Sequence, residues 1–347
     1  MRRSFGLCPW RGAGVAEQGC LLSSYTGMTG IEGSNPSLSA TCLLFSTTHK
    51  ETQMRNIGFA LILALLIVPK CLWAQKPGGG VRTVPVEGPV YMLEGGGGNI
   101  GVITTPSGPI VIDAMMAGNG GQIKTALRAI GGDNIRYLIN THWHNDHTDG
   151  NKALGPGTII VAQQNVRTLL EKPSELMGQK PAPPMPEDAL PQITFSDRLT
   201  LHAGDVEIRL VHYPNSHSNG DTVVYIDRFK VVHMGDMFFN GLFPFLDVDN
   251  GGDIENWVRN LDIVLAGIPG DTKIIPGHGP LTDPAGLKAF RDMLADAASL
   301  VKERIAAGKN LDEIKAEGLP ERFEPWMKGF LPAPQWLELV YRSLTKK

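Results

Sequence analysis

The chain has 347 residues and a formal net charge of −3, with 42% hydrophobic and 19% charged residues. This composition is typical of a globular protein that can bury a substantial core. The nearly balanced charge argues against a basic surface that would bind nucleic acid or an anionic membrane, so the expected partner is a small molecule.

The cysteines all lie near the N-terminus, at Cys8, Cys20, Cys42 and Cys71. No thiol follows Leu72. A metal site in the remaining chain must therefore consist of histidines and carboxylates, and no disulfide framework can hold that part together.

Residues 54–74 have the order of a secretory signal peptide. A short polar start at Met54 precedes an apolar run from Ile57 to Val68, and a cleavage site is expected after Ala74. The run is too short to span a bilayer comfortably. We expect a periplasmic or secreted protein without a stable membrane anchor after cleavage, and a retained anchor is the alternative. Residues 1–53 show no periodicity, so we expect a spurious or disordered leader with Met54 as the true start.

Short strands and one helix are predicted between the signal and the first unusual motif. Two β-like runs flank the glycines Gly95 to Gly98, which indicate a tight hairpin. The next strands end at Asp113 and, after a helix at 121–130, at Asn140. Asp113 is either a hydrogen-bond acceptor for a metal-binding histidine or a simple turn residue.

The segment after Asn140 carries three histidines and an aspartate within six positions, His142, His144, Asp146 and His147. Imidazole and carboxylate groups are the zinc ligands used when thiolates are absent, and four such groups can hardly all bind one tetrahedral ion. Two adjacent metal ions are therefore predicted. The ligands are expected on a loop at a strand end, followed by a turn at Gly150-Asn151.

A strand and a helix are predicted next, followed by a proline-rich loop at 173–192. Such long loops are often lids or binding walls, and a plain surface connection is the alternative. Four further strands follow, predicted at 199–202, 206–212, 222–227 and 230–234.

Three later segments each place one possible ligand at the end of a β run. They contain His217, Asp236 and His278, each with glycine nearby. None is persuasive alone, but together with the first cluster they complete two coordination spheres. The other histidines of this part of the chain, His202, His212 and His233, lie within predicted strands and are interpreted as structural.

The segment from Phe238 to Asn250 contains four phenylalanines beside a predicted ligand. Phe239 and Phe243 could line the substrate pocket or belong to the core. The remaining chain predicts a helix at 254–266, a strand at 273–275, and helices at 284–307, 311–317 and 324–347.

The order His-x-His-x-Asp-His, His, Gly-Asp and Pro-Gly-His-Gly resembles the metallo-β-lactamase superfamily from about Val84 to Thr282. The resemblance implies an α/β fold, a four-layer αβ/βα sandwich at 84–282, here with a C-terminal helical extension at 283–347. It implies two zinc ions per chain. His142, His144 and His217 would hold the first, Asp146, His147 and His278 the second, and Asp236 would bridge both.

The resemblance implies a hydrolase in which a metal-bridging hydroxide, oriented by Asp146, cleaves an amide or ester bond of a β-lactam or lactone. Asp236 and Phe239 stand where the largest group of true β-lactamases has cysteine and lysine. A thioesterase of the hydroxyacylglutathione hydrolase type therefore remains an alternative. An iron-binding redox accessory protein is a second one, because this ligand set also accepts iron or manganese.

Overall fold

The computed structural model describes residues 80–173, 175–176 and 182–346. The predicted leader and signal peptide lie outside the described residues. Strands are numbered in chain order: β1 Arg82–Glu87, β2 Val90–Glu94, β3 Ile100–Ile103, β4 Ile110–Ile112, β5 Tyr137–Asn140, β6 Ile159–Gln163, β7 Ile193–Phe195, β8 Arg198–Ala203, β9 Val206–His212, β10 Thr222–Ile226, β11 Val231–His233 and β12 Lys273–Ile275. The α-helices are α1 Gly120–Ile130, α2 Asn145–Thr148, α3 Asn151–Leu154, α4 Gln164–Leu170, α5 Ile254–Gly267, α6 Pro284–Ala306, α7 Leu311–Glu317 and α8 Ala333–Thr345.

The strands form two sheets. The first has seven strands in the order β1 to β7, and the second has five in the order β12-β11-β10-β9-β8. Strands β4 to β7 run parallel to one another, as do β11 and β12, whereas the other pairs are antiparallel. Parallel neighbours end at the same edge of a sheet, so the loops that follow them can meet.

The hydrophobic core between the sheets combines residues from both. Ile112 and Ile139 of the first sheet cluster with Ile208 and Val224 of the second. Helix α1 covers the outer face of the first sheet through Ile123 and neighbouring apolar residues. Helices α5, α6 and α8 cover the outer face of the second sheet. The four-layer αβ/βα sandwich expected from the sequence is confirmed.

Helix α6 continues the helical layer and does not form a separate unit. Its Pro284 occupies the first turn, where a missing N–H costs nothing, and Asp283 caps it by accepting bonds from the backbone N–H groups of Ala285 and Gly286. Phe290 of α6 and Trp336 of α8 are fully buried in the core that covers the second sheet. The C-terminal extension therefore adds to the main core.

Three local predictions need correction. The segment that follows β5 contains the one-turn helix α2, and α3 begins at Asn151 where a turn was expected. Strand β7 is an additional edge strand directly after the proline-rich loop. The C-terminal helix predicted at 324–347 is divided into a 3-10 helix at Glu321–Trp326 and α8, because Pro332 and Pro334 favour a new helix start.

Within the residues that the structure describes, no helix combines the length and the apolar character needed to cross a bilayer.

Candidate metal centre

All seven predicted ligands lie in the segments that follow strands, where Asp146 and His147 belong to helix α2 and Asp236 to a short 3-10 helix. The segment after β5 carries His142, His144, Asp146 and His147. The loops after β9, β11 and β12 carry the other three, His217, Asp236 and His278. Their side chains are almost fully buried, with exposures between 0% and 8%.

The seven side chains form two groups whose ligand atoms lie within 4.8 Å of one another inside each group. His142, His144 and His217 form the first group together with Asp236, and Asp146, His147 and His278 form the second. The Nε2 atom of His278 lies 3.1 Å from Asp146 Oδ2. The structure thus brings together every predicted ligand, in the predicted grouping.

Asp236 lies between the two groups. Its Oδ2 atom is 3.6 Å from Nε2 of His142 and also 3.6 Å from Nε2 of His217. Its Oδ1 atom is 3.0 Å from Nε2 of His147 and 3.4 Å from Nε2 of His278. Each carboxylate oxygen therefore faces one group, which is the arrangement a bridging carboxylate requires.

Three polar atoms of this cluster are buried and make no hydrogen bond of good geometry: Nε2 of His142, Oδ2 of Asp146 and Oδ1 of Asp236. The two carboxylate oxygens have only the Nε2 atoms of His278 and His147 nearby, at 3.1 and 3.0 Å, which are themselves predicted ligand atoms. Cations bound by the two groups would satisfy all of these atoms. The residues present therefore fit two closely spaced metal ions bound by nitrogen and oxygen.

Asp113 fixes the orientation of two predicted ligands, His147 directly and His142 through Thr141, which agrees with one of its two sequence interpretations. Its Oδ2 accepts bonds of 2.8 Å from Nδ1 of His147 and from the Thr141 hydroxyl. The Thr141 hydroxyl in turn lies 3.1 Å from Nδ1 of His142 and accepts its proton. In their neutral forms both imidazoles are thus held as tautomers whose Nε2 lone pair faces the cluster.

Asp247 fixes the orientation of the His144 ring. This role was not predicted from the sequence. Its Oδ2 accepts a bond of 3.0 Å from Nε2 of His144 and another of 3.0 Å from the Trp143 indole. The Nδ1 atom of His144 therefore faces the cluster, 3.0 Å from Nε2 of His217. A carboxylate among phenylalanines was the only sequence signal, because 103 residues separate Asp247 from His144.

We expect the substitution Asp247→Ala to weaken metal binding about 10- to 100-fold, since residues that orient metal-bound histidines have effects of this size. Metal dissociation constants from competition with a chromophoric chelator measure this. Asp262→Ala, which removes an exposed carboxylate paired with Arg291, is the matched control. Equal affinities in the two variants would contradict the role given to Asp247.

The two groups differ in charge. Burial and the neighbouring His147 lower the pKa of His142 well below its usual value, and burial together with His144 lowers the pKa of His217 to about 4. Burial also opposes a charge on His147 and His278, yet nearby carboxylates raise the pKa of His147 well above its usual value and that of His278 to about 9. Without metal, the imidazoles of His147 and His278 are therefore protonated on both nitrogens and positively charged at neutral pH.

Loading the metal-free protein at pH 7 should accordingly release about two protons from the second group, because a metal ligand must be a neutral imidazole. Both pKa values are raised, so the release should decrease as the pH rises through about 9. Titration calorimetry in buffers with different ionisation enthalpies counts these protons. Loading without proton release at pH 7 would contradict the assignment, and His278→Ala should release about one proton fewer.

Phe239 and Phe243, predicted to line the substrate pocket or to belong to the core, have different surroundings. Phe243 is fully buried and stacks on Trp336 at 5.7 Å, which places it in the core, one of the two alternatives. Phe239 is 1% exposed and stacks on the ring of His278 at 4.9 Å. Phe239 therefore packs against the predicted ligand His278 and has little exposed surface for contact with a substrate.

The histidines interpreted as structural lie outside both groups. His202 is exposed, and Nδ1 of His212 donates to the carbonyl oxygen of Asp221. His233 is buried, where its Nε2 donates to the carbonyl of Asn99 and its Nδ1 accepts from the N–H of Gly235. His233 thereby holds the backbone next to Asp236.

The family model described as "Metallo-beta-lactamase superfamily" matches residues 93–309 of the chain. A probable hydroxyacylglutathione hydrolase glo2 from Schizosaccharomyces pombe is 26% identical over 207 residues, 55% of this chain and 67% of its own. A metallo-beta-lactamase type 2 from Bacteroides fragilis is 23% identical over 145 residues, 42% of this chain and 53% of its own.

A metallo-beta-lactamase is among the solved structures whose fold is similar to that of this chain. A metallo-beta-lactamase from Pontibacter korlensis superposes with a TM-score of 0.52 at 16% sequence identity. The match covers 62% of this chain and 99% of that one. At this identity the similarity concerns the fold alone.

Proposed function

Because the chain belongs to the metallo-beta-lactamase superfamily, we propose that it is a dinuclear zinc hydrolase that cleaves an amide or ester bond in a small molecule. The observation that carries the proposal is Asp236, whose two oxygens face two buried groups of ligand-type side chains. Zinc bound there would lower the pKa of a water molecule to about 7 and polarise a substrate carbonyl. A nucleophilic side chain is then not needed.

The chain's own residues have defined tasks in this proposal. Asp146, whose Oδ2 faces the cluster, would accept a hydrogen bond from the attacking water and orient it. Asp113, Thr141 and Asp247 keep the imidazoles in the tautomers that ligation requires. Burial of the whole cluster excludes bulk water and strengthens these electrostatic interactions.

A thioesterase of the hydroxyacylglutathione hydrolase type is the second candidate. It is favoured by the adjacent Asp146-His147 pair and by the similarity to the glo2 protein. Both candidates use the same metal centre and differ in the bond cleaved, so substrate assays separate them.

The test is the metal content of protein expressed from Met54, together with hydrolysis of a chromogenic cephalosporin, a simple lactone and a glutathione thioester. About two zinc ions per chain, with turnover of one substrate that a chelator abolishes, would support the proposal. Tightly bound iron in a coloured protein would favour a redox accessory role instead. Two zinc ions without turnover of any of the three would contradict the proposed bond classes.

We also propose that the protein is exported by a signal peptide that begins at Met54. Mass spectrometry of the natural protein should then find an N-terminus after Ala74. A peptide from upstream of Met54 would contradict this start site.

A further inference from the structure

The C-terminal extension is attached to the segment between Phe238 and Asn250, beside the metal centre. The backbone N–H of Phe243 donates a bond of 2.9 Å to the carbonyl of Trp326. Arg342 of α8 forms an ion pair of 2.6 Å with Asp249. A Cβ on Gly329 would lie 3.3 Å from the side chain of Leu242, which shows how closely the two segments approach.

An aromatic ring from each of these two segments lies against the ligand histidines. Phe245 lies 5.6 Å from the ring of His144 and 6.2 Å from that of His217, measured between ring centroids. Phe330 lies 6.5 Å from the ring of His278. Both rings are only partly buried. They therefore offer apolar surface next to both groups of ligands.

A cavity of about 550 Å³ begins at Phe245 and extends along α8. Its apolar lining comes from Phe245, Leu331 and Leu339. Its size falls within the range of small-molecule sites, which are mainly apolar with a few polar groups that select the ligand. The cavity is thus placed to hold the part of a substrate that extends away from the metal centre.

The charged groups that line the cavity are mainly acidic. Glu175, Asp249 and Glu338 contribute carboxylates, and Arg342 is the one cation. Arg342 is already paired with Asp249, and Glu338 with Lys315 outside the cavity. The three carboxylates outnumber the one guanidinium among the residues that line the cavity, so the lining has a net negative charge.

The carboxylates of the metal centre have no lysine or arginine partner. In the described part of the chain, every ion pair of Asp146 and Asp236 is with a histidine. Phe239 stands at the position where the largest group of true β-lactamases has a lysine. Apolar and acidic surroundings repel a carboxylate and accept an alkyl chain or an ammonium group.

We propose that this cavity binds an apolar substituent of a neutral or cationic ester or lactone and discriminates against substituents that end in a carboxylate. The C-terminal extension is then a specificity-determining part of the site. This inference rests on the proposed hydrolase function and names its substrate class.

The test compares three 4-nitrophenyl esters of the same chain length on zinc-loaded protein: the hexanoate, the 6-aminohexanoate and the mono-ester of adipic acid. We expect kcat/KM for the adipate to be at least about tenfold below the other two, since like charges in a partly buried site repel strongly. Equal kcat/KM values for all three esters would overturn the inference but leave the hydrolase function standing. No hydrolysis of any ester would overturn the ester activity and the inference with it.

The cavity itself is tested by introducing a lysine. Gln335 is exposed and lines the cavity, and Gln335→Lys should raise the ratio of kcat/KM for the adipate to kcat/KM for the hexanoate several-fold. Ala306→Lys adds the same charge at an exposed position of α6 outside the cavity. Identical ratios in the two variants would overturn the assignment of this cavity.

Discussion

Replacing Asp236 with alanine is expected to remove at least one metal ion per chain and to lower turnover about 10³-fold or more. Its two carboxylate oxygens face the two groups of predicted ligands. Metal ions supply several kcal/mol of transition-state stabilisation, and each loss of about 1.4 kcal/mol lowers the rate tenfold. Metal analysis after gel filtration and kcat/KM with the best substrate measure the two effects.

Asp271→Ala is the control for this substitution. Asp271 forms an exposed ion pair of 2.6 Å with Lys230, and such pairs contribute about 0–1 kcal/mol to stability. Its metal content and turnover should match those of the unmodified protein. If Asp236→Ala kept two ions and near-normal turnover, the bridging role of Asp236 would be wrong.

Gly277→Ala is expected to disrupt the same carboxylate without altering any ligand. A Cβ at position 277 would overlap Oδ1 of Asp236 and lie 2.7 Å from the carbonyl oxygen of Gly235. The backbone N–H of Gly277 also donates to the carbonyls of Gly235 and Phe238, which ties the residue closely to this turn. We therefore expect displacement of Asp236, weaker metal binding and at least about 100-fold lower turnover, because small displacements of catalytic groups have effects of this size.

Gly270→Ala provides the matched control. No heavy atom lies within 4 Å of a Cβ built at Gly270, in the loop that precedes β12. Circular dichroism and the thermal midpoint of both variants separate loss of the site from loss of the fold. A Gly277→Ala protein that is folded, contains two ions and is fully active would contradict the close packing around Asp236.

The ligands themselves could be predicted from the sequence because their chemistry is local. His142, His144, Asp146 and His147 fall within one short segment, and the isolated His217, Asp236 and His278 each follow a β run near glycine. Asp113, a carboxylate at a strand end, was left open between a hydrogen-bond acceptor for a ligand and a turn residue. Strand ends at one edge of a sheet converge, so these side chains were expected to meet. Their division between two metal ions was implied by the resemblance to the superfamily.

The sequence was less informative where one segment had to be compared with a distant one. Asp247 orients His144 across 103 residues, and no period or spacing connects the two. Phe243 and Phe245 are two residues apart in an irregular segment, yet one stacks on Trp336 in the core and the other lies beside His144. Hydrophobicity alone does not distinguish these positions, because the direction of each side chain depends on the packing of the C-terminal helices.

By itself the sequence determined the absence of thiols after Leu72 and the histidines and carboxylates that follow β runs, since residue chemistry and strand periods are properties of short segments. The αβ/βα class was implied by the resemblance to the metallo-β-lactamase superfamily. Only the tertiary structure decided that Asp247 orients His144, and that a cavity whose charged groups are mainly acidic runs from Phe245 along α8. These features depend on distances between residues far apart in the chain. Such distances are set by the packing of the two sheets and their helical layers, which no local pattern encodes.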